Sequence, residues 1–193
     1  LLWCITKHDP PEAWSDDEKH SFLAFRESKG PTMDIPSGLN KLADRLLLDV
    51  KFFQEIERLL ESKGQIIFYG PPGTGKTYAA REIARYYTEE DGFEVVQFHP
   101  SYTYEDFVEG YRPQLHNGQP GFDIVPGPLK LIADKARGNP NSKYILLIDE
   151  INRGNIAKVF GELYFLLEYR DEAISLQYNR EVKFSLPKNL WFI

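Results

Sequence analysis

The sequence holds one cysteine, Cys4, among 193 residues, so no disulfide can close within it and a reducing compartment is its default setting. Its four histidines, His8, His20, His99 and His116, show no metal-ligand spacing, which argues against a zinc site. Clustered positive charge is also missing: 23 Lys+Arg face 29 Asp+Glu, the net charge is −6, and basic residues nowhere form a long run. A principal nucleic-acid-gripping surface needs clustered cations, so none is expected in this segment. No apolar run approaches the roughly 20 residues that cross a bilayer, and no charged-then-apolar signal opens the chain. The expected setting is cytoplasmic, with no membrane partner.

What is present suffices for one well-buried core, since 42% of the residues are hydrophobic. Residues 1–36 stand apart, with Trp3, Trp14, the pair Pro10 and Pro11, and breaks at Gly30, Pro31 and Pro36. They read as a linker or the tail of an upstream domain. Within them Ser15 and Glu18 have capping-box spacing, which predicts a short helix ending near Lys29.

From Ser37 the apolar period becomes helical, through Leu39, Leu42, Ala43, Leu46 and Leu47. A second stripe, Phe53, Ile56, Leu59 and Leu60, closes at Gly64, a residue suited to a left-handed helix end. Residues 65–69 then form a short apolar run, a predicted strand, which enters a glycine loop and a helix reaching about Thr88. Strands are predicted at 93–98, 144–148 and 190–193, with two short ones between Ser175 and Leu186. Helices are predicted at 104–109, 129–137 and 155–169, and an exposed loop, with room for a hairpin, at 110–126. Strands without alternation, separated by helices, indicate a mainly parallel sheet covered on both faces: an α/β, three-layer αβα sandwich over residues 37–193.

Two motifs carry chemistry. Gly70-Pro71-Pro72-Gly73-Thr74-Gly75-Lys76-Thr77 fits GxxxxGKT at every fixed position and sits between strand and helix, the context that a P-loop NTPase requires. The glycines let main-chain N–H groups turn around phosphates, the helix from Tyr78 onward presents its positive end, Lys76 reaches the β- and γ-phosphates, and Thr77 ligates Mg²⁺. Some 70 residues later, the apolar run 145–148 ends in Asp149 and Glu150. In a parallel sheet that end faces the ligand, so Asp149 is assigned to Mg²⁺ and Glu150 to orienting and deprotonating water. Alone, such an acidic pair is more often a solvated helix start; the phosphate loop upstream alters that balance.

Four longer stretches, residues 98–113, 149–155, 158–162 and 186–190, resemble in order and spacing the AAA+ GTPase subunit of McrB-type modification-dependent restriction systems. The resemblance runs from about Leu39 to Ile193. It implies an AAA+ nucleotide-binding core that binds and hydrolyses GTP or ATP with Mg²⁺, assembles as a homo-oligomer, a hexameric ring, and drives an McrC-like nuclease subunit, with DNA contacted only through regions outside this chain. Carried over by position, it gives Gly70, Pro71, Pro72, Gly73, Thr74, Gly75, Lys76, Thr77 and Tyr78 to the nucleotide, Thr77 and Asp149 to Mg²⁺, and Glu150 with Lys76 to catalysis. It places Asn152 and Arg153 at a subunit interface, where a cap and a surface charge explain them equally well. The residues 110–121 lie where related rings carry pore loops. By analogy the base lies against Leu46, Leu47, Leu48, Asp49 and Val50, though burial in the core accounts for the apolar ones.

The sequence departs from that family too. It stops inside the strand expected to deliver a sensor asparagine, truncated before the arginine finger and helical lid, so binding without efficient hydrolysis is expected. A remodelling ATPase of the MoxR or dynein-related branch and a non-catalytic nucleotide-gated assembly module stay open beside the restriction motor. Tyr102, Tyr104, Phe107 and Tyr111 read as packed aromatics before they read as base-stacking ones.

Overall fold

The strand that ends in the acidic pair explains the layering. Tyr144 and Leu146 point into one apolar cluster and Ile145 into another. A run that is apolar at every position must be covered on both sides. The computed structural model describes Cys4–Ile5, residues 37–116 and residues 118–193, and the helix predicted near Ser15 to Lys29 lies outside these. In chain order the elements are β1 (Cys4–Ile5), α1 (Ser37–Leu46), α2 (Val50–Lys63), β2 (Ile67–Phe68), α3 (Lys76–Tyr87), β3 (Phe93–Gln97), α4 (Tyr104–Phe107), β4 (Glu109–His116), β5 (Gln119–Pro126), α5 (Pro128–Gly138), β6 (Tyr144–Asp149), α6 (Ile156–Phe160), α7 (Leu163–Glu168), β7 (Ile174–Ser175), β8 (Lys183–Phe184) and β9 (Leu190–Phe192).

The order across the parallel sheet is β3, β6, β9. It continues through a parallel bridge from Phe192 to Gln65, reinforced by Phe192 N–H on Gly64 O at 2.9 Å and Ile66 N–H on Phe192 O at 3.0 Å. This brings β2 alongside, and β1 pairs with β2 in parallel, Cys4 opposite Ile67. All these strands run the same way, so the loops that follow β2, β3 and β6 emerge at one edge. One cluster joins Leu39, Leu42, Phe53, Ile56, Leu60 and Ile83 of α1–α3 to Ile145 and Trp191. The opposite cluster joins α4–α7 to Leu146, Leu190 and Phe192. The architecture is the expected α/β three-layer one.

Local chemistry sets the boundaries. Asp49 starts α2 by accepting the Lys51 N–H at 2.9 Å, and Gly64 ends it at φ 69°, the left-handed conformation the sequence anticipates. Arg170, a buried guanidinium, donates to Gly64 O and Leu190 O, each at 3.0 Å, and so pins the end of α2 to the start of β9. Burial lowers its pKa to about 10.

Two expectations need correction, and a third is sharpened. The helix predicted from Asn155 to Tyr169 is two helices, broken where Gly161 takes φ 51° and ψ −131°; a Cβ there would lie 3.2 Å from the Tyr104 ring. Glu109 belongs to β4 rather than to the helix before it, buried and ion-paired with Lys130 of α5. The stretch expected at 110–126 as an exposed loop with room for a hairpin does hold a hairpin, and one more regular than expected, of two eight-residue strands. Its register puts Tyr111 opposite Ile124, Pro113 opposite Phe122 and Leu115 opposite Pro120 on one face, with Arg112 opposite Asp123 and His116 opposite Gln119 on the other. Side chains on a strand alternate faces, so the sequence is amphipathic at period two despite its Gly and Pro content.

Candidate functional site

The loop between β2 and α3 is a main-chain device. Gly73 and Gly75 take φ 78° and 76°, which side-chain-bearing residues rarely adopt, and a Cβ at Gly70, Gly73 or Gly75 would meet nothing within 4 Å. The loop therefore curls over open space, with Pro71, Pro72, Gly73, Thr74 and Gly75 exposed. The Lys76 ammonium folds back across it, donating to Gly70 O at 2.9 Å, Pro71 O at 2.6 Å and Thr74 Oγ1 at 3.4 Å, while Thr74 Oγ1 donates to Pro71 O at 2.9 Å. The twelve-residue α3 begins at Lys76 with no side-chain cap, so its first N–H groups and the positive end of its dipole face the loop. Tyr78 is exposed one residue beyond Thr77.

The second half of the site comes from β6. Thr77 Oγ1 donates to Asp149 Oδ1 at 3.0 Å across 72 positions of sequence. A hydroxyl and a carboxylate oxygen side by side suit Mg²⁺, a hard cation that takes few protein ligands and completes its shell with water and phosphate oxygens. The residues thus fit the ion that the motif implies.

Tertiary packing sculpts the turn after Asp149. Phe98 N–H donates to Asp149 O at 2.9 Å, and the Phe98 ring lies under Gly154, where a Cβ would come within 2.8 Å of ring carbon Cδ2. Ile151 packs on the core, Arg153 N–H closes the turn on Glu150 O at 2.8 Å, and Asn155 Oδ1 caps α6 through the Lys158 N–H at 3.0 Å. Between these anchors Glu150 sits at φ 54° and ψ 40°, a left-handed conformation rare for a residue with a side chain. Its carboxylate receives Arg153 Nε at 2.9 Å and an Arg153 terminal NH₂ at 3.3 Å. Asn152 is exposed in the same turn and is not the helix cap; Asn155 has that role.

Phe98 belongs to an aromatic cluster. It stacks on Tyr102 at 5.0 Å and meets Phe107 edge-on at 5.4 Å, and Phe107 meets Phe160 at 5.0 Å. Tyr104 is buried and donates to Glu162 at 2.8 Å; burial, then this hydrogen bond, push its pKa well up. Packing therefore accounts for Tyr104 and Phe107. Tyr102 is half-buried, whereas Tyr111 is over half exposed and touches Tyr178. The support from Phe98 and the left-handed Glu150 escaped sequence reasoning. The close approach at Gly154 had only the glycine itself as a signal.

Leu46 ends α1 and Val50 opens α2, with residues 47–49 connecting them; Leu48 and Val50 lie against the core and Leu47 is 90% exposed at φ 54°. A groove of about 380 Å³ lies elsewhere, bordered by Glu94, Asp106, Arg112 and Lys135, and shares no residue with the phosphate loop or the β6 tip. A cradle built from exposed main chain is not an enclosed cavity. Among the described residues no helix is long and apolar enough to cross a membrane.

Residues 65–189 match the AAA domain family, dynein-related subfamily. The chain is 44% identical over 149 residues to the type IV methyl-directed restriction enzyme EcoKMcrB subunit of Escherichia coli K12, covering 72% of this chain and 32% of that protein. It is 36% identical over 126 residues to the type II restriction enzyme BsuMI component YdiS of Bacillus subtilis 168, covering 53% and 37%. It is 35% identical over 91 residues to the peroxisomal ATPase PEX6 of Colletotrichum orbiculare, covering 44% and 7%. The chain thus spans about a third of the two restriction proteins, and the McrB-type resemblance read from its motifs holds.

Proposed function

Because this chain belongs to the dynein-related subfamily of AAA domains, we propose that it is the nucleotide-binding and hydrolysing core of a ring-forming motor in a cytoplasmic restriction or anti-phage defence complex. The carrying observation is the 3.0 Å contact between Thr77 and Asp149 beneath an open glycine cradle, in a chain similar to two restriction-system components.

In this reading the main-chain amides from Gly73 to Lys76 and the start of α3 hold the terminal phosphates. Lys76 exchanges its loop oxygens for phosphate oxygens, a stronger charge-assisted pairing. Thr77 and Asp149 would hold Mg²⁺, which when bound supplies charge that neutralises the phosphates. Glu150 orients the attacking water and takes its proton as the water oxygen bonds to the γ-phosphorus, while the bond from that phosphorus to the β–γ bridging oxygen breaks and the nucleoside diphosphate and inorganic phosphate leave. GTP is the preferred substrate and ATP the alternative, with a base site along Leu46 to Val50. A hexameric ring and an McrC-like nuclease are the expected partners, and DNA is met through other regions.

A second reading, an ATP-driven remodelling machine, draws on the dynein-related family and the similarity to a peroxisomal ATPase. Calorimetric titration with GTP and ATP in Mg²⁺ separates the two: tighter GTP binding supports the restriction motor, and tighter ATP binding the remodeller. No heat with either nucleotide overturns both. Glu150→Gln is expected to keep binding and lose turnover; normal turnover in that variant removes Glu150 as the base.

A further inference from the structure

Each ionic group at the site has a partner close by. Lys76 is held by its own loop and Asp149 by Thr77, and neither contact blocks the groups that a water molecule must meet. The contact between Glu150 and Arg153 differs in kind. Both carboxylate oxygens receive guanidinium donors, at 2.9 and 3.3 Å, from a residue three positions away in the same tight turn. Two guanidinium donors occupy two of the roughly four lone-pair sites of the carboxylate, so a water molecule must compete with a cation for its oxygens.

The turn that carries both side chains is braced at several points. It is closed by Arg153 N–H on Glu150 O at 2.8 Å, anchored by Ile151 in the core, and seated through Gly154 on the Phe98 ring. The left-handed backbone of Glu150, unusual for a residue bearing a side chain, is part of that fixed turn. The Arg153 side chain is 62% exposed, and that of Glu150 36%. An ion pair so wet is weak and screened, so a better acceptor can take it apart at little cost.

We infer that Arg153 is a positioning residue that restrains the Glu150 carboxylate within its own turn. This rests on the reading of Glu150 as the general base. It adds that the base is restrained by its own turn, so basal turnover is a few times lower than the unpaired carboxylate would give.

The test is a double-mutant cycle on the full chain. Arg153→Ala is expected to raise basal kcat by about two- to fivefold with KM unchanged, the range that an exposed ion pair supports. Arg153→Lys, which keeps the charge but not the two-pronged hold, should fall between that variant and wild type. In a Glu150→Gln background Arg153→Ala should change nothing. Mn²⁺ titrated alone and followed by electron paramagnetic resonance supplies a readout apart from turnover: the freed carboxylate beside Asp149 should tighten Mn²⁺ binding in Arg153→Ala by a similar factor, and Glu150→Gln should erase the gain. A kcat that is unchanged or lower in Arg153→Ala, or a rise that survives Glu150→Gln, overturns the restraint. Glu150→Gln with normal turnover overturns the base assignment and the restraint with it; where wild type binds nucleotide without turnover the Mn²⁺ comparison decides, and no tightening in Arg153→Ala overturns the restraint.

Discussion

The two halves of the site are built by opposite means. The phosphate loop up to Lys76 touches little: its glycines face open space, residues 71–75 are exposed, and its side-chain contacts come from Lys76 and Thr74 within the loop itself. The acidic tip depends on distant neighbours, with Phe98 from β3 bonded to Asp149 and pressed under Gly154. A site that must admit a bulky anion keeps one side empty, and a site that must aim carboxylates to within fractions of an ångström braces them. The difference teaches which substitutions should harm binding and which should harm the fold.

Lys76→Ala is expected to have the largest effect. It removes the ammonium at the open half and should weaken nucleotide binding by roughly 10²-fold in calorimetry, since hydrogen bonds to charged groups are the strong ones. Its chemical-denaturation midpoint should stay near wild type, because the contacts it loses lie on the surface.

Next comes Gly154→Val at the braced half. The added carbons collide with the Phe98 ring and should cost about 1–3 kcal/mol in urea unfolding, as overpacking does. A stability equal to wild type would mean that the aromatic cluster yields, and the contrast between the halves would soften.

Gly75→Ala tests the same contrast from the other side. Nothing crowds its Cβ, but φ 76° costs about 1–2 kcal/mol for an L side chain. The exposed loop can relax, so the loss should appear in nucleotide affinity, about five- to thirtyfold, and far less in unfolding.

The smallest effect concerns acid. Asp106 is pulled both ways: burial raises its pKa, and hydrogen bonds from Arg112 and Thr103 outweigh that and lower it. Glu105 is lowered by the Tyr178 hydroxyl first of all. Groups whose folded pKa is depressed add stability above the ordinary carboxylate range and lose it as pH falls through the folded value. Both are largely solvated, so wild type should lose a melting-temperature advantage of only about 1–2 °C over Asp106→Asn between neutral pH and about pH 3. An advantage that persists in acid would show that the charge does not hold the hairpin base.

Legibility followed the range of the interactions. The helical stripe Phe53, Ile56, Leu59 and Leu60, the left-handed Gly64 and the GxxxxGKT loop could be read because each rests on residues a few positions apart. The apolar run before Asp149 placed the second carboxylate at the sheet edge for a similar reason. The hairpin at 109–126 was underestimated because Gly and Pro masked a period-two pattern, visible once Tyr111 and Ile124 are seen to share a face. The break at Gly161 was hidden because it depends on the approach of the Tyr104 ring, 57 positions earlier.

By itself the sequence determined that a strand, a glycine loop and a helix follow one another, and that two acids close a buried strand, since backbone freedom and hydrophobic period act locally along a chain. Only the tertiary structure decided that β9 lies between the strands bearing the two motifs, that Thr77 meets Asp149 across 72 positions, and that Glu150 is turned into a left-handed bend against Arg153. Those outcomes come from packing both faces of one parallel sheet at once, a condition that no short window of residues contains.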